Sequence, residues 1–457
     1  MKKVLKPIAW LVGILVLGSG TLVAFNAIDE SLSPEAQKLL VERKFVLKDE
    51  DNAFFAVWGM TAAEDADPHA AGKRVVALLK DKISVPAPVV KEESYAGGIG
   101  KLKVAAEIGK LCDWAKQDCY AKLSAAIERA APLAAEHRVL LERYVGLSRY
   151  KGYEDVMPPT LVTPVPPMQN LLSMATLQML FAIADVKRGD AAAGLNRLEP
   201  GVASARMMLG TSDELIGKMI AVAVLHRYAI VLAGLANEAP DAFAAERERV
   251  AKWLAPLSAA ERNAGPALQG EFRSVHAFLR NFALDPRTAA AMGESQSSVP
   301  DWLRLRGLQV NATANLRAAI AAEEQRLALL PADELPGEVA GFRRKQDAFK
   351  DSLSGIAWRN PTGRHLAAEM TWDATEYMLR LHDLDAHLRL TALAIEIRAG
   401  KLEPEAVAGF VNSAGAPALD PYSGKPFQWD AEKRELSTAA QRKNSPYTRG
   451  GRFVIRF

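Results

Sequence analysis

Seven side chains between residues 365 and 387 form the densest set of groups in the chain that could carry chemistry. His365, Glu369, Asp373, Glu376, Arg380, Asp383 and His387 follow one another at steps of four, four, three, four, three and four. Such steps keep to one face of a helix, and residues four apart, such as His365 and Glu369, could hold a metal ion between an imidazole and a carboxylate. Against that, Arg380 puts a cation into the stripe, no HExxH is present, and the stripe would extend over about 33 Å of helix. The stripe, with His365, Glu369 and Asp373 at its start, therefore reads as a solvated or ion-paired helix face. No metal or other cofactor is expected.

Other chemistries find less support. His226 lies in MIAVAVLHRYAIVLAGL, where an almost wholly apolar setting predicts a hydrogen-bonded core histidine. Met168, Met174, Met179, Met207, Met208 and Met219 recur at helical spacing and read as core filler rather than copper ligands. GGIGK fails as a phosphate loop, because its first glycine would fall on Tyr95 and Leu102 follows Lys101 where Ser or Thr is needed. G-x-S-x-G does not occur to support a hydrolase.

The two cysteines, Cys112 and Cys119, stand in LCDWAKQDCY. In an oxidising compartment an even, low count predicts one disulfide. Continuous helix would hold them about 10 Å apart, beyond the roughly 7 Å between Cα atoms that a bridge tolerates. A disulfide thus requires the helix to break between them, and Asp113 and Asp118 are capping residues that permit it.

The elements that must position these groups are mostly helical. Ala- and Leu-rich periodicity covers about 102–150 and ends at MPPTLVTPVPPM, whose five prolines cannot be helical and form an extended connector or a strap across one body. Beyond it, two stretches turning at Gly189-Asp190 resemble a tetratricopeptide-type helical hairpin, and a third, DELIGKMIAVAVLHRYAIVLAGLA, follows. No 34-residue self-similarity continues on either side, so a regular solenoid is not expected. Further helices are expected over 241–282, 300–330, 336–353 and 362–399. The last of these carries a seam of Met370, Ala374, Tyr377, Leu381, Leu384, Leu388, Thr391 and Ile395, at coiled-coil-like steps of four and three. Only after residue 413 does the period change. Phe427 and Trp429 alternate with polar neighbours and RFVIRF closes the sequence, which predicts a small antiparallel hairpin or three-stranded sheet.

Charge divides the chain further. Lys2, Lys3 and Lys6 precede a 22-residue run without charge, Pro7 to Ile28, long enough to cross a bilayer as a helix. Positive charge resists translocation, so the lysines stay cytoplasmic and the remainder lies outside the inner membrane. Small residues do not fall where signal cleavage needs them at Ala24 or Ala27, and a retained anchor is the reading preferred over a cleaved signal peptide. From Lys425 onward eight Lys/Arg face three Asp/Glu, while the overall charge is only +3. The stretch between anchor and tail is mildly acidic, with no basic stripe interleaved with aromatics, so nucleic acid is not an expected partner.

Two segments, DEDNAFFAVWG and DPYSGKPFQWD, resemble elements of a set of uncharacterised, single-pass, mostly helical envelope proteins of proteobacteria. The resemblance implies an envelope location and brings no activity or catalytic residues with it.

The expected architecture is mainly α: an N-terminal transmembrane helix over 1–30, a helical subdomain over 31–157 and a Pro-rich connector over 158–167. A main helical domain over 168–412 and a C-terminal β-hairpin and tail over 413–457 complete it. The expected function is that of a membrane-anchored periplasmic scaffold or interaction protein without catalysis, with the inner membrane and an envelope protein as partners. The alternative is a periplasmic hydrolase acting on an envelope polymer or lipid. A cleft lined by His226 or His365 with converging carboxylates would mark the hydrolase.

Overall fold

The computed structural model describes residues 18, 20–21, 24–83, 99–116, 118–159, 164–284, 307–355, 357–442 and 444–457. Most of the apolar run expected to be the membrane anchor therefore lies outside the described residues. So do GGIGK up to Gly98 and part of the proline-rich connector.

Chain order among the described residues begins with α1 (Pro34–Leu39), α2 (Ala53–Trp58), α3 (Pro68–Ile83), α4 (Cys119–Ala125), α5 (Ala130–Glu136) and α6 (Arg138–Val145). Next come α7 (Met168–Lys187), α8 (Ala191–Thr211), α9 (Leu215–Glu238), α10 (Pro240–Ala245), α11 (Arg247–Trp253), α12 (Ala259–Arg262) and α13 (Gly265–Leu284). Then follow α14 (Val310–Leu327), α15 (Leu335–Leu353), α16 (Pro361–Glu369), α17 (Thr375–Ala399) and α18 (Pro404–Ser413). Three strands, β1 (Gln428–Asp430), β2 (Glu435–Ala439) and β3 (Arg452–Arg456), form an antiparallel sheet in the order β1-β2-β3.

The helical hairpin forms as its sequence predicts. α7 is followed by Gly189, whose positive φ of 90° suits a residue without Cβ, and Asp190 caps α8 by accepting from the Ala193 amide at 2.9 Å. α9 packs on α7, α8 and α17, which is why its apolar residues surround it instead of keeping to one face. Among the described residues it is the helix long and apolar enough to cross a membrane, yet two thirds of its most apolar window is buried inside the body. Gly201 lets α8 approach α9: a Cβ there would lie 1.9 Å from the Tyr228 hydroxyl.

One hydrophobic core runs from Ala53 to Ile395, and it includes Leu123, Leu140 and Tyr153 from before the prolines together with Leu177, Leu232 and Leu384 from after them. Packing does not divide at residues 158–167, so the prolines act as a strap on one body. A second core joins Leu390, Leu393 and Ile397 of α17 with Phe427, Leu436, Phe453 and Ile455 of the sheet module.

Three helices expected from the sequence are interrupted. The stretch from 102 to 150 is a series of short helices, and 241–282 splits into α10 to α13. The helix expected over 362–399 is α16 and α17 with a break at 370–374. Asp373 takes the role of a cap there, accepting from the Thr375 amide at 3.0 Å and from the Thr375 hydroxyl, while the Trp372 carbonyl accepts from Gln346 at 2.9 Å. These side-chain bonds replace the backbone bonds of a continuous helix.

The end of the apolar run and the residues that follow it are keyed into this body. Asn26 donates to the Trp358 carbonyl at 2.8 Å and accepts from the Asn360 amide at 2.7 Å. Asp29 accepts from the amides of Asn311 and Ala312 at 2.8 and 3.1 Å, at the positive end of α14. Gln309 donates to the Ile28 carbonyl at 2.7 Å, and Ser33 donates from its amide to Asn315 at 2.7 Å.

Candidate functional site

The polar stripe is divided by the helix break, which corrects the expectation of one continuous face. His365 and Glu369 stand exposed on α16, whereas Asp373 and Glu376 both pair with Arg343, at 2.7 and 2.8 Å. Among the described residues no group of three or more His, Cys, Asp or Glu is placed to hold a metal ion. The far half of the stripe is the seat of the sheet module. Asp383, buried on α17, accepts from the Tyr422 hydroxyl at 2.8 Å and from the amides of Gln441 and Arg442 at 2.9 and 3.3 Å. Glu376 pairs with Arg442 at 3.2 Å.

His387 meets His226 in the same seam. Their Nδ1 atoms are 2.8 Å apart, so one ring donates Nδ1–H and the other accepts. Phe453 of β3 stacks on His387 with centroids 4.7 Å apart, and Tyr447 stacks on His226 at 4.4 Å. Burial lowers both imidazoles, His387 to about 3 and His226 well below its ordinary value, with His387 and Arg442 lowering His226 further. Both rings are neutral at physiological pH. As the sequence predicts, His226 is a hydrogen-bonded core histidine, here tying the sheet to the body.

Beside this pair lies a cleft of about 600 Å³, within the range of small-ligand sites. Four elements build it. The first is the loop closed by the Cys112–Cys119 disulfide, whose Cα atoms are 5.5 Å apart because the helix breaks where Asp118 caps α4, accepting from the Ala121 amide at 3.2 Å. Trp114, Lys116 and Asp118 face the cleft from this loop, and Tyr120 from α4. The second is the last half of α9, where Tyr120 lies directly on the backbone of Gly234: a Cβ there would sit 2.3 Å from the ring. The third is α17, through His387 and Arg398. The fourth is the turn Tyr447–Arg449 with the neighbouring strand β3.

The cleft is cationic. Lys116, Arg398, Arg449 and Arg456 line it against one carboxylate, Asp118. Arg449 bridges the opening to Asp118 at 3.1 Å, Arg456 pairs with Glu435 at 2.6 Å, and Lys116 with Asp113 at 3.5 Å. Arg398 differs. Its guanidinium donates to the carbonyls of Ala233, at 2.6 Å, and of Arg456, and covers the Phe457 ring at 4.7 Å, but its Nε is buried without a partner. No side-chain carboxylate of the described residues pairs with it. Burial pulls it down to about 10, opposed by Tyr120, whose own hydroxyl is raised by burial and by the nearby Glu238. A half-buried cation without a counter-ion is relieved by an anion.

A second titratable cluster is enclosed. Asp155, Asp213 and Glu214 are all raised, chiefly by burial, Asp213 to about 6. Arg43 pairs with Asp213, and Tyr153 donates to Glu214 at 3.1 Å. These groups fasten the chain near residue 43 to the start of α9.

Sequence reasoning identified Cys119 and His387 as candidates without seeing that both line one cleft, with Cys112 bridged to Cys119 and Asp383 anchoring the sheet module. It missed Tyr120 and Arg398. Two signals pointed toward the site: the excess of cations after residue 425 and the alternating RFVIRF, which supplies β3. No protein-family model, curated protein or solved structure matches this chain.

Proposed function

We propose that this chain is a non-catalytic interaction protein of the cell envelope, tethered to the inner membrane by its N-terminal apolar run with its body on the periplasmic side. The observation that carries the binding role is the cleft: a ligand-sized space lined by a guanidinium, Arg398, that has no side-chain counter-ion among the described residues. Hydrolysis by paired carboxylates needs a second acid, and here the one lining carboxylate, Asp118, is already held by Arg449. The neutral histidine pair is occupied in stacking. The tether is supported by three lysines ahead of the apolar run, whose last residues and those that follow are keyed into the body. The Cys112–Cys119 bridge suits an oxidising compartment.

Reporter fusions after residue 60 and at the C-terminus test the compartment, with activity expected only from reporters that work outside the cytoplasm. A photo-crosslinking side chain at Thr448, on the cleft's rim, is expected to give discrete protein adducts in intact cells. Cytoplasmic reporter activity overturns the location, and the absence of adducts from rim positions overturns the binding role.

A further inference from the structure

We infer that the outer edge of β3 receives an extended, carboxylate-bearing peptide segment of a partner protein as a fourth strand of the sheet. The inference rests on the interaction reading above and specifies what the cleft takes. β3 is an edge strand, since the sheet order is β1-β2-β3. Its register with β2 pairs Leu436 with Ile455 and Thr438 with Phe453. The bonds of Phe457 N–H to the Arg434 carbonyl at 3.0 Å and of Ala440 N–H to the Gly451 carbonyl at 2.9 Å identify which residues bond to β2: 453, 455 and 457. By the alternation of an antiparallel ladder, Arg452, Val454 and Arg456 turn their backbone groups to the opposite side.

Most of that outer edge is closed. Arg452 exchanges both backbone bonds with Arg449, at 2.8 and 3.2 Å, and the Arg456 carbonyl accepts from Arg398. Among the described residues nothing bonds the N–H and carbonyl of Val454 or the N–H of Arg456, which is the pattern one short incoming strand would satisfy. Protein edges are normally covered or blunted by charge and bulges. This one instead faces the cleft, which is walled on the other side by α9 and the disulfide loop.

Charge selects the occupant further. Arg398 lies beside the open groups, bound to the carbonyl of Arg456 and lacking a side-chain counter-ion, and Lys116 and Arg449 flank the opening. A carboxylate on the added strand completes the guanidinium. A small free anion would also reach Arg398, but it would leave the three backbone groups of the edge unsatisfied, and for this reason the geometry favours a peptide.

The test uses full-length protein in mild detergent as bait for a displayed library of linear heptapeptides. A selected peptide is fluorescein-labelled and titrated by anisotropy. Enriched peptides are expected to carry Asp or Glu. Val454→Pro removes an outward N–H at a position where an edge strand tolerates proline, and should weaken binding at least tenfold with the melting temperature little changed. In a second measurement, free of any change to the protein, N-methylation is scanned along the peptide: alternate positions should lose tenfold or more and the intervening ones little. Arg398→Gln should weaken the acidic peptide and leave its Glu→Gln analogue nearly unaffected. A flat N-methyl scan, or unchanged affinity for Val454→Pro, overturns strand addition while leaving the interaction reading intact. Failure of the library to enrich any peptide also overturns it, and crosslinks from Thr448 then still decide separately whether a partner is bound.

Discussion

Replacing His387 by Gln should change how stability responds to acid, by an amount that follows from burial. The imidazole sits at about 3 in the folded chain against an ordinary value of 6.5. Between those values only the unfolded chain binds the proton, so the stability His387 contributes is complete above pH 6.5 and is lost as pH falls toward 3. At pH 5 the loss is about 2 kcal/mol, from about 1.4 kcal/mol per pH unit over 1.5 units. Gln does not titrate, fills a similar volume and can still bond the Nδ1 of His226. It forfeits the stack on Phe453, so the variant should be less stable at pH 8 by about 1 kcal/mol. The gap should therefore close and then reverse by pH 5. Asp213 and Glu324, raised to about 6 and about 7, act with the opposite sign, gaining stability as pH falls, but both are present in wild type and variant and cancel in the difference. Urea titrations followed by far-ultraviolet circular dichroism at pH 8, 6.5 and 5 measure the gap. Two parallel curves, with a gap constant to about 0.5 kcal/mol, would refute the neutral buried pair.

Other substitutions probe the parts that hold the cleft and the keyed segment from Asn26 to Ser33. Replacing Cys112 and Cys119 by Ser removes the closure of a short loop and should cost about 2–3 kcal/mol, read as a lower melting temperature that reductant no longer changes. Gly201→Ala forces a methyl against the hydroxyl of Tyr228 and the amide oxygen of Gln178, and should destabilise by about 2–3 kcal/mol; wild-type stability would show that α8 can move away from α9. Asn360→Ala removes the side chain that accepts from the Gln309 amide at 2.8 Å and donates to Thr313 at 3.1 Å, at a residue with φ of 51°. It should cost about 2–4 kcal/mol and speed amide exchange over residues 26–33, whereas unchanged exchange there would show that the keyed segment does not depend on Asn360.

What could be read from the sequence was local. The helical hairpin of α7 and α8 is written in apolar periodicity and a Gly-Asp turn, and the helix break that admits the disulfide is written in two aspartates. The alternation around Phe427 and in RFVIRF gives the sheet. The break between α16 and α17 was hidden because TWDAT keeps the helical apolar period while Asp373 competes for the backbone amide of Thr375. The cleft was hidden for a different reason. Its rim is joined by a bond between Asp118 and Arg449, residues 331 positions apart, and no periodicity reports a contact over that distance.

The polar stripe shows how the two levels relate. Spacing alone put Glu376, Asp383 and His387 on one helix face and left open whether that face was solvated, ion-paired or reactive. In the folded chain the same spacing serves assembly: Glu376 pairs with Arg442, Asp383 gathers Tyr422, Gln441 and Arg442, and His387 seats Phe453. Each partner belongs to the C-terminal module, and its last strand is a wall of the cleft. A carboxylate and an imidazole that cost free energy to bury are thus retained where they specify one docking position for an otherwise small sheet. On the proposed reading the position matters because β3 then presents its outer edge to the cleft across from α9. Of the groups that first looked like chemistry, Glu376, Asp383 and His387 therefore hold this wall of the cleft in place, and on the proposed reading binding should depend on them although only His387 of the three lines the cleft.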